Sequence, residues 1–295
     1  MSELLDAKIL GAIAGKVWKT ARRAEGTVAG RHASRHTGQS LEFSQHRSYA
    51  LGDDLKHIDW KLFARNERFF VKQFRAETNV RAYITLDASA SMAFPSEAQT
   101  NNFGDGHTKF GYAKKIAAAA AYVLAAQGDA VGLCVARREG GIFLPAAGGW
   151  GRFEEIMNIL ETAGAGGSCG LSGAADGMAA KMKKRSLFLL ISDLLEDRGE
   201  ILAAIKRLSS MRHECRLIHI LDRSETSLDV DAPTTITDSE TLESVEIDPA
   251  AAKKYRAAMD AEISFWRTSL GKHSVGYDLF FTDEAPEKNI ARLLL

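Results

Sequence analysis

The stretch Arg81-Ala-Tyr-Ile-Thr-Leu-Asp-Ala-Ser-Ala-Ser91 decides how the rest of the chain is interpreted. Residues 83–86 are aromatic, β-branched or aliphatic without helical spacing, and they predict a short buried strand. Asp87 follows where that strand ends, and Ser89 and Ser91 lie two and four residues further on. In an extended or tightly turned segment these three side chains can point the same way.

One carboxylate and two hydroxyls that converge form half of the coordination sphere of a hard cation. Mg²⁺, for example, takes six oxygen ligands at about 2.1 Å. The alternative is an ordinary polar turn after a strand, where small polar residues are common. The segment from Asp87 to Ser91 leaves both open, and the choice depends on what the rest of the chain adds.

The composition is that of a soluble globular protein, with 45% hydrophobic residues in a chain of 295. The length fits one large domain or two ordinary ones. Charge is balanced overall, but residues 1–81 hold 15 Lys or Arg and 9 Asp or Glu, a net charge of +6. This asymmetry favours an anionic partner or internal charge pairing for the first part of the chain.

The compartment is predicted from what the chain lacks. No stretch approaches the roughly 20 apolar residues of a membrane span, and the N-terminus mixes charged and apolar residues, unlike a signal peptide. Cys134, Cys169 and Cys215 lie far apart without CxxC spacing, which argues against a disulfide framework and a zinc site. We therefore expect a cytoplasmic protein with no membrane span.

Apolar strands alternate with amphipathic helices through the second part of the chain. Strands are predicted over 83–86, 130–136, 142–144, 187–191, 215–221 and 274–281, a hairpin over 234–247, and helices over 109–127, 153–162, 171–182, 200–210 and 249–270. This order predicts an α/β fold with a doubly wound, mostly parallel sheet flanked by helices. We assign residues 80–295 to that domain. Residues 1–79 are expected to form an N-terminal lobe with a helix over 2–25 and a strand over 69–74.

Such sheets bind ligands outside the carboxyl ends of their strands, where the strand order reverses. Asp87 lies at one such end, and Asp193 follows another apolar strand. Ser168 lies in the glycine-rich bend Gly164–Gly170 between them. These three places can meet at one edge of the sheet, which we call the rim. The polar side chains at these places are those of Asp87, Ser89, Ser91, Ser168 and Asp193.

This set of residues resembles the metal-ion-dependent adhesion site (MIDAS) of the von Willebrand factor A fold, usually DxSxS, then a Thr, then an Asp. Asp87, Ser89 and Ser91 match the first element, and Asp193 matches the last. Ser168 stands where that family usually has Thr, so the hydroxyl is kept but the methyl group that fixes its rotamer is lost. The resemblance implies Mg²⁺, or another divalent cation such as Mn²⁺ or Ca²⁺, as the cofactor.

The segment RSYALGDDLKHIDWKLFAR, residues 47–65, resembles the hallmark of the bacterial family called domain of unknown function 58. The family pattern is R-x-Y-x-x-G-D-x-x-R-x-I-D-W-x-x-x-A-R, and Lys56 replaces its second Arg. Members typically accompany MoxR-type AAA+ ATPases, so the resemblance implies such a partner. The segment itself would either brace the sheet or dock the ATPase.

Together these features lead to the hypothesis of a non-enzymatic adaptor. Its metal site would bind an acidic residue presented by a protein partner. No G-x-x-x-x-G-K-[ST] motif occurs, so any ATP would be hydrolysed by the partner. A phosphatase with Asp87 as nucleophile would need an acid two residues later, where Ser89 stands.

Two further alternatives remain open on the sequence. The run GGSCG places Ser168 in a G-x-S-x-G pattern, with Asp193 or Asp248 and then His273 following in the order of a serine hydrolase. A nucleophile elbow needs a strand directly before it, however, whereas a helix is predicted there. Nucleic-acid binding by the basic N-terminal third is the other alternative. The acids Asp53, Asp54 and Asp59 within that region would repel phosphate, which makes a nucleic-acid partner the weaker expectation.

Overall fold

The computed structural model describes residues 3–18, 41–50, 58–76, 80–95, 108–182, 185–227, 234–237, 244–247 and 249–294. Contacts between residues divide the chain into a larger unit, Met1–Lys19 with Val80–Leu295, and a smaller unit, Thr20–Asn79. The sequence-based division at residues 79 and 80 assigns the first helix to the N-terminal lobe, whereas that helix contacts the larger unit.

The secondary structure of the described residues alternates as follows. The strands are β1 (Leu41–Ser48), β2 (Phe70–Ala76), β3 (Arg81–Asp87), β4 (Ala130–Ala136), β5 (Ile142–Ala147), β6 (Leu187–Ser192), β7 (Glu214–Leu221), β8 (Thr234–Thr237), β9 (Ser244–Ile247) and β10 (Gly276–Phe281). The helices are α1 (Ala7–Ile13), α2 (Trp60–Asn66), α3 (Lys109–Ala126), α4 (Trp150–Thr162), α5 (Leu171–Lys181), α6 (Arg198–Ser210), α7 (Arg223–Ser227), α8 (Pro249–Gly271) and α9 (Pro286–Leu293).

The central sheet of the larger unit has the strand order β10-β7-β6-β3-β4-β5. All neighbouring strands are parallel except β5, which runs antiparallel to β4. The predicted α/β fold with a doubly wound, mostly parallel sheet flanked by helices is therefore confirmed.

Each strand of the sheet contributes to two separate cores because successive side chains point to opposite faces. On β3, Ile84 and Leu86 lie in one core, and Tyr83 lies in the other against Phe188 of β6. Helices α1, α3, α4 and α9 cover the first face, and α5, α6 and α8 cover the second. All but the first residue of β3 are buried, which explains why its sequence is apolar without alternation.

Helix α1 is shorter than the helix expected over residues 2–25. Asp6 caps its N-terminus by accepting the N–H of Ile9 at 2.8 Å. The helix ends at Ile13, and Gly15 adopts a left-handed conformation just beyond it. The side chain of Lys16 then donates to the carbonyl of Ala291 at 3.1 Å. These contacts place α1 against α9 rather than with the smaller unit.

Strand β5 ends the sheet on one side. Its pairing with β4 is interrupted by a register shift between Val131 and Leu133. Pro145 lies in the opposing part of β5 and is exposed. A proline has no N–H to donate, and an edge strand or a bulge is where a sheet tolerates one.

The smaller unit contains the antiparallel pair of β1 and β2 and the helix α2. Asp59 caps α2, because its Oδ1 accepts the N–H groups of Lys61 and Leu62 at 3.0 and 3.1 Å. Its Oδ2 lies 2.9 Å from Nε2 of His46. Within the hallmark segment, Asp59 therefore has a local structural role, whereas Asp53, Asp54 and Lys56 lie outside the described residues. The predicted choice between bracing and docking stays open.

In the part of the chain that the structure describes, no helix combines the length and the apolar character needed to traverse a bilayer.

Candidate metal site

The candidate site lies where the strand order of the sheet reverses. From β3 the chain passes to β4 on one side, and it returns later to β6 on the other side. Asp87 is the last residue of β3, and Asp193 directly follows β6, its neighbour. Ligands of doubly wound sheets bind outside the carboxyl ends of the strands at such a point. The topology thus brings these two predicted residues to the same edge.

The carboxylate of Asp87 is fully buried and accepts three hydrogen bonds. Its Oδ1 accepts the N–H of Ser89 at 2.9 Å. Its Oδ2 accepts the hydroxyl of Ser192 at 2.6 Å and the thiol of Cys169 at 3.2 Å. Burial raises the pKa of Asp87, and the charge of Asp193 raises it further, although the hydrogen bonds oppose both effects. An anion in these surroundings is stabilised by a nearby cation.

Ser89 and Ser91 present their hydroxyls together at the turn that follows Asp87. The two oxygens lie 3.0 Å apart, and both residues are buried. Ser89 has an extended backbone, and a short 3₁₀ helix, Ala90–Ala93, begins directly after it. In an octahedron with metal–oxygen distances of about 2.1 Å, adjacent ligands lie about 3.0 Å apart. The spacing of these hydroxyls therefore suits two neighbouring ligands of Mg²⁺.

Asp193 already has a cationic partner. The ammonium of Lys109, the first residue of α3, lies 2.8 Å from Oδ2 of Asp193 and 2.6 Å from Oε1 of Glu225. Burial alone would lower the pKa of Lys109, but the two carboxylates outweigh it and the pKa is raised. The pKa of Glu225 is raised because its burial outweighs the attraction of Lys109. Lys109 is therefore a fully charged ammonium in the interior.

The backbone around Asp193 is fixed by its neighbours. The carbonyl of Asp193 lies 3.0 Å from Nε2 of His219, whose Nδ1 lies 2.9 Å from the hydroxyl of Tyr277. Burial lowers the pKa of His219 to about 4, so its ring is neutral at pH 7. The next residue, Leu194, has a φ of 59°, a conformation that costs a residue with a side chain roughly 1–2 kcal/mol.

Ser168 lies on the loop that the sequence places at the same rim. The loop follows the backbone after Asp87, because the N–H of Gly166 donates to Ala88 at 2.9 Å and the carbonyl of Gly167 accepts from Ala90 at 2.8 Å. Ser168 itself is exposed. Its carbonyl accepts the N–H of Arg138 at 3.2 Å. Asp87, Ser89, Ser91 and Asp193 thus lie at the same edge of the sheet, whereas Ser168 is exposed there.

The same loop does not form a nucleophile elbow. Helix α4 ends at Thr162, and the residues between it and Ser168 are not a strand. Within the described residues, no hydrogen bond joins Ser168 to Asp193 or His273, and Asp248 lies outside them. The arrangement that a serine hydrolase requires is therefore missing from the described part of the chain.

A cleft of about 490 Å³ opens beside the rim, between α5 and the ends of β4 and β5. Cys169 and Glu196 lie on its wall, and Glu196 accepts hydrogen bonds from the backbone and the hydroxyl of Ser172 at 3.0 and 2.5 Å. Burial and the charge of Asp87 raise the pKa of Cys169, which keeps it a thiol. Cys169 is therefore a hydrogen-bond donor to Asp87 rather than a nucleophile.

The donors at the rim fit a divalent cation on two counts. The three carboxylates of Asp87, Asp193 and Glu225 outnumber the ammonium of Lys109, which pairs with Asp193 and Glu225. A divalent cation would offset this excess of carboxylates. The hydroxyl pair of Ser89 and Ser91 supplies neutral oxygens beside them. Across the described residues, no three His, Cys, Asp or Glu side chains form a metal site by themselves. A metal here would need the serine hydroxyls.

The fold and the rim define the class of this chain as a doubly wound α/β protein with a candidate metal site at its switch point. A family model described as protein of unknown function DUF58 matches residues 45–267. The chain therefore belongs to the DUF58 family, as the hallmark segment predicts. The association of this chain with a MoxR-type ATPase stays a prediction.

Relatives and solved structures add the following similarities. An uncharacterised protein of Mycobacterium tuberculosis (strain H37Rv) and one of Mycobacterium bovis are each 25% identical over 263 residues, which is 87% of this chain and 79% of theirs. The conserved hypothetical protein BatB from Bacteroides thetaiotaomicron aligns with 72% of this chain and 96% of its own, at 13% identity and a TM-score of 0.47. The VWA domain of SpRpn10 aligns with 72% and 94%, at 13% identity and a TM-score of 0.42.

Several residues around the site do not stand out in the sequence. Lys109 and Glu225 are 84 and 116 residues away from the partners they meet there, and no local motif marks either of them. The position of Ser192 could have marked it as a site residue, because it lies next to Asp193 at the end of an apolar strand. No local motif marks His219 either, although its Nε2 lies 3.0 Å from the carbonyl of Asp193.

Proposed function

We propose that this chain is a non-enzymatic, cytoplasmic adaptor that binds an acidic residue of a protein partner through a divalent cation at the rim. The cation would be Mg²⁺, or another such as Mn²⁺ or Ca²⁺. The observation that carries the proposal is the pair of buried carboxylates, Asp87 and Asp193, with the hydroxyl pair beside them at the switch point. A metal-ion-dependent adhesion site uses this donor set.

The residues of the rim would have two different roles, one in charge and one in coordination. Asp87 and Asp193 would supply the negative charge, and Ser89, Ser91 and Ser168 would supply neutral oxygens. Ser192 and Cys169 would orient Asp87 by donating to its Oδ2. When bound, the cation would offer positive charge to a carboxylate of the partner. Recognition would then depend on both the metal and an acid presented at the surface.

The partner we propose is a MoxR-type AAA+ ATPase, as membership of the DUF58 family implies. The absence of a P-loop motif from the sequence supports a division of labour in which the partner hydrolyses ATP. The surface around the cleft would add contacts that distinguish this partner from other acidic proteins.

The test is a binding titration of the chain against the MoxR-type ATPase of the same organism, with Mg²⁺ and with EDTA. We expect binding to be lost in EDTA and in Asp87→Asn, which keeps the shape of the side chain but removes its charge. Asp260→Asn, on the exposed side of α8, is the control and is expected to bind like the wild type. Equal affinity with Mg²⁺ and with EDTA would refute the metal-dependent mechanism.

A further inference from the structure

Lys109 occupies an unusual position for a lysine. Its side chain is fully buried, and its ammonium lies between Asp193 and Glu225. It is also the first residue of α3, where the helix dipole is unfavourable for a cation. An unpaired ammonium in the interior costs several kcal/mol. The two carboxylates therefore hold Lys109 in place, and one of them is a candidate metal ligand.

We propose that Lys109 is a built-in competitor of the divalent cation. Its ammonium neutralises Asp193 when the rim holds no metal ion, and it must release Oδ2 of Asp193 before that oxygen can bind the ion. Lys109 thereby sets the metal concentration at which the rim becomes able to bind a partner. This inference rests on the proposed metal-dependent function.

Glu225 makes such a release possible without leaving the ammonium unpaired. Its Oε1 lies 2.6 Å from the ammonium, and its Oε2 accepts the N–H of Asp222 at 2.9 Å. The backbone thus holds the carboxylate of Glu225 where it remains paired with Lys109 when Asp193 binds a metal ion. The helix that carries Glu225, α7, is in this way linked to the state of the rim.

A simpler explanation must be separated from this one, namely that Lys109 only changes the net charge near the metal. Lys109→Met removes a positive charge, so both explanations predict tighter metal binding. The double variant Lys109→Met/Glu225→Gln removes one charge of each sign and keeps the net charge of the cluster. If Lys109 competes directly, the double variant still binds the metal more tightly than the wild type.

The experiment is calorimetric titration of Mg²⁺ and Mn²⁺ into the wild type and the double variant. Thermal unfolding without metal checks that the double variant is folded. We expect it to be less stable than the wild type without metal, because Asp193 loses its buried cationic partner. We expect metal affinity to rise roughly tenfold or more in the double variant, since the ion no longer displaces an ammonium from Asp193. Adding Asp87→Asn to the double variant is expected to abolish the gain.

The possible outcomes separate the two proposals. Equal affinities in the wild type and the double variant would overturn the competition by Lys109 and leave the metal-dependent function standing. A gain that survives Asp87→Asn would place the tighter ion outside the rim and would also overturn the inference. No metal binding by either protein would overturn both proposals.

Discussion

Asp129 joins the start of β3 to the start of β4. It is buried, and its Oδ1 accepts the N–H of Val80 at 3.0 Å, while the carbonyl of Val80 accepts the N–H of Ala130 at 3.0 Å. The side chain thus satisfies a backbone donor just before the strand that leads to Asp87. A buried donor left without its acceptor costs about 1–3 kcal/mol.

The first prediction is that Asp129→Ala lowers the free energy of unfolding by about 1–3 kcal/mol because the N–H of Val80 loses its acceptor. Urea denaturation followed by circular dichroism measures the change. Asp129→Asn, which retains an oxygen in the same place, is the matched control and should lose less. Equal losses in the two variants would show that the charge of Asp129, not this hydrogen bond, matters.

At the scale of residues, the sequence predicts the site side chains that lie at the ends of strands. It does not predict the side chains that long-range contacts bring to the site. Asp87 and Asp193 are predictable because each directly follows an apolar strand of a doubly wound sheet. Lys109 is not, since a lysine at a helix start ordinarily lies in solvent. Only the packing of α3 over the sheet places it beside Asp193 and Glu225.

The loop between α4 and α5 depends on one close approach of backbone to backbone. A Cβ on Gly170 would lie 2.6 Å from the carbonyl oxygen of Arg137 and 2.7 Å from the nitrogen of Arg138. In contrast, a Cβ on Gly166 in the same loop would meet nothing within 4 Å. The first glycine is needed for the loop to reach β4, and the second is not.

We therefore predict that Gly170→Ala destabilises the protein by about 1–3 kcal/mol, because the backbone must move to accommodate the methyl group. Gly166→Ala, the matched control, is expected to change stability by less than about 1 kcal/mol. Hydrogen exchange at the amide of Ala90, which donates to Gly167, should become faster in Gly170→Ala alone. Unchanged exchange in both variants would contradict the proposed dependence of the loop on Gly170.

At the scale of elements, periodicity predicts the buried strands and the longer helices to within a few residues. Four elements escape this approach, namely β1, α2, α7 and α9. Strand β1 contains few apolar residues, so it has neither an apolar run nor a clear alternation. Helix α9 has only 8 residues, too few for a helical spacing to stand out. Its buried residues, Ile290 and Leu293, become significant once α1 and α3 are seen to cover them.

For the whole molecule, one pH dependence follows from a buried neutral histidine. Nδ1 of His213 accepts the N–H of Ser186 at 3.1 Å, and its ring contacts the edge of Phe188. Burial lowers the pKa of His213. The unfolded state, in which a histidine has a pKa of about 6.5, therefore binds this proton more readily than the folded state. The contribution of His213 to stability is lost as the pH falls below about 6.5.

We predict that His213→Gln, which retains an acceptor for Ser186 but cannot be protonated, loses less stability than the wild type between pH 7 and 5. The comparison of unfolding free energies at each pH isolates this residue from the other titrating groups. Parallel pH curves for His213→Gln and the wild type would contradict the prediction.

The architecture of the whole molecule was the most predictable part of this protein. An apolar strand such as β6, which is buried along its entire length, requires a layer of helices on each face of the sheet. The position of α1 was less predictable. The three- and four-residue spacing of its apolar residues shows that one face of the helix is buried, but not which part of the protein covers that face. Contacts with α9 settle that question in the structure.

Pro145 also bears on whether a second molecule can extend the sheet at β5 in concentrated solution. Because Pro145 has no N–H and the register of β5 shifts beside it, we expect β5 to be a poor template for a strand of another molecule. Ribbon-like aggregation is thereby discouraged on this side of the sheet.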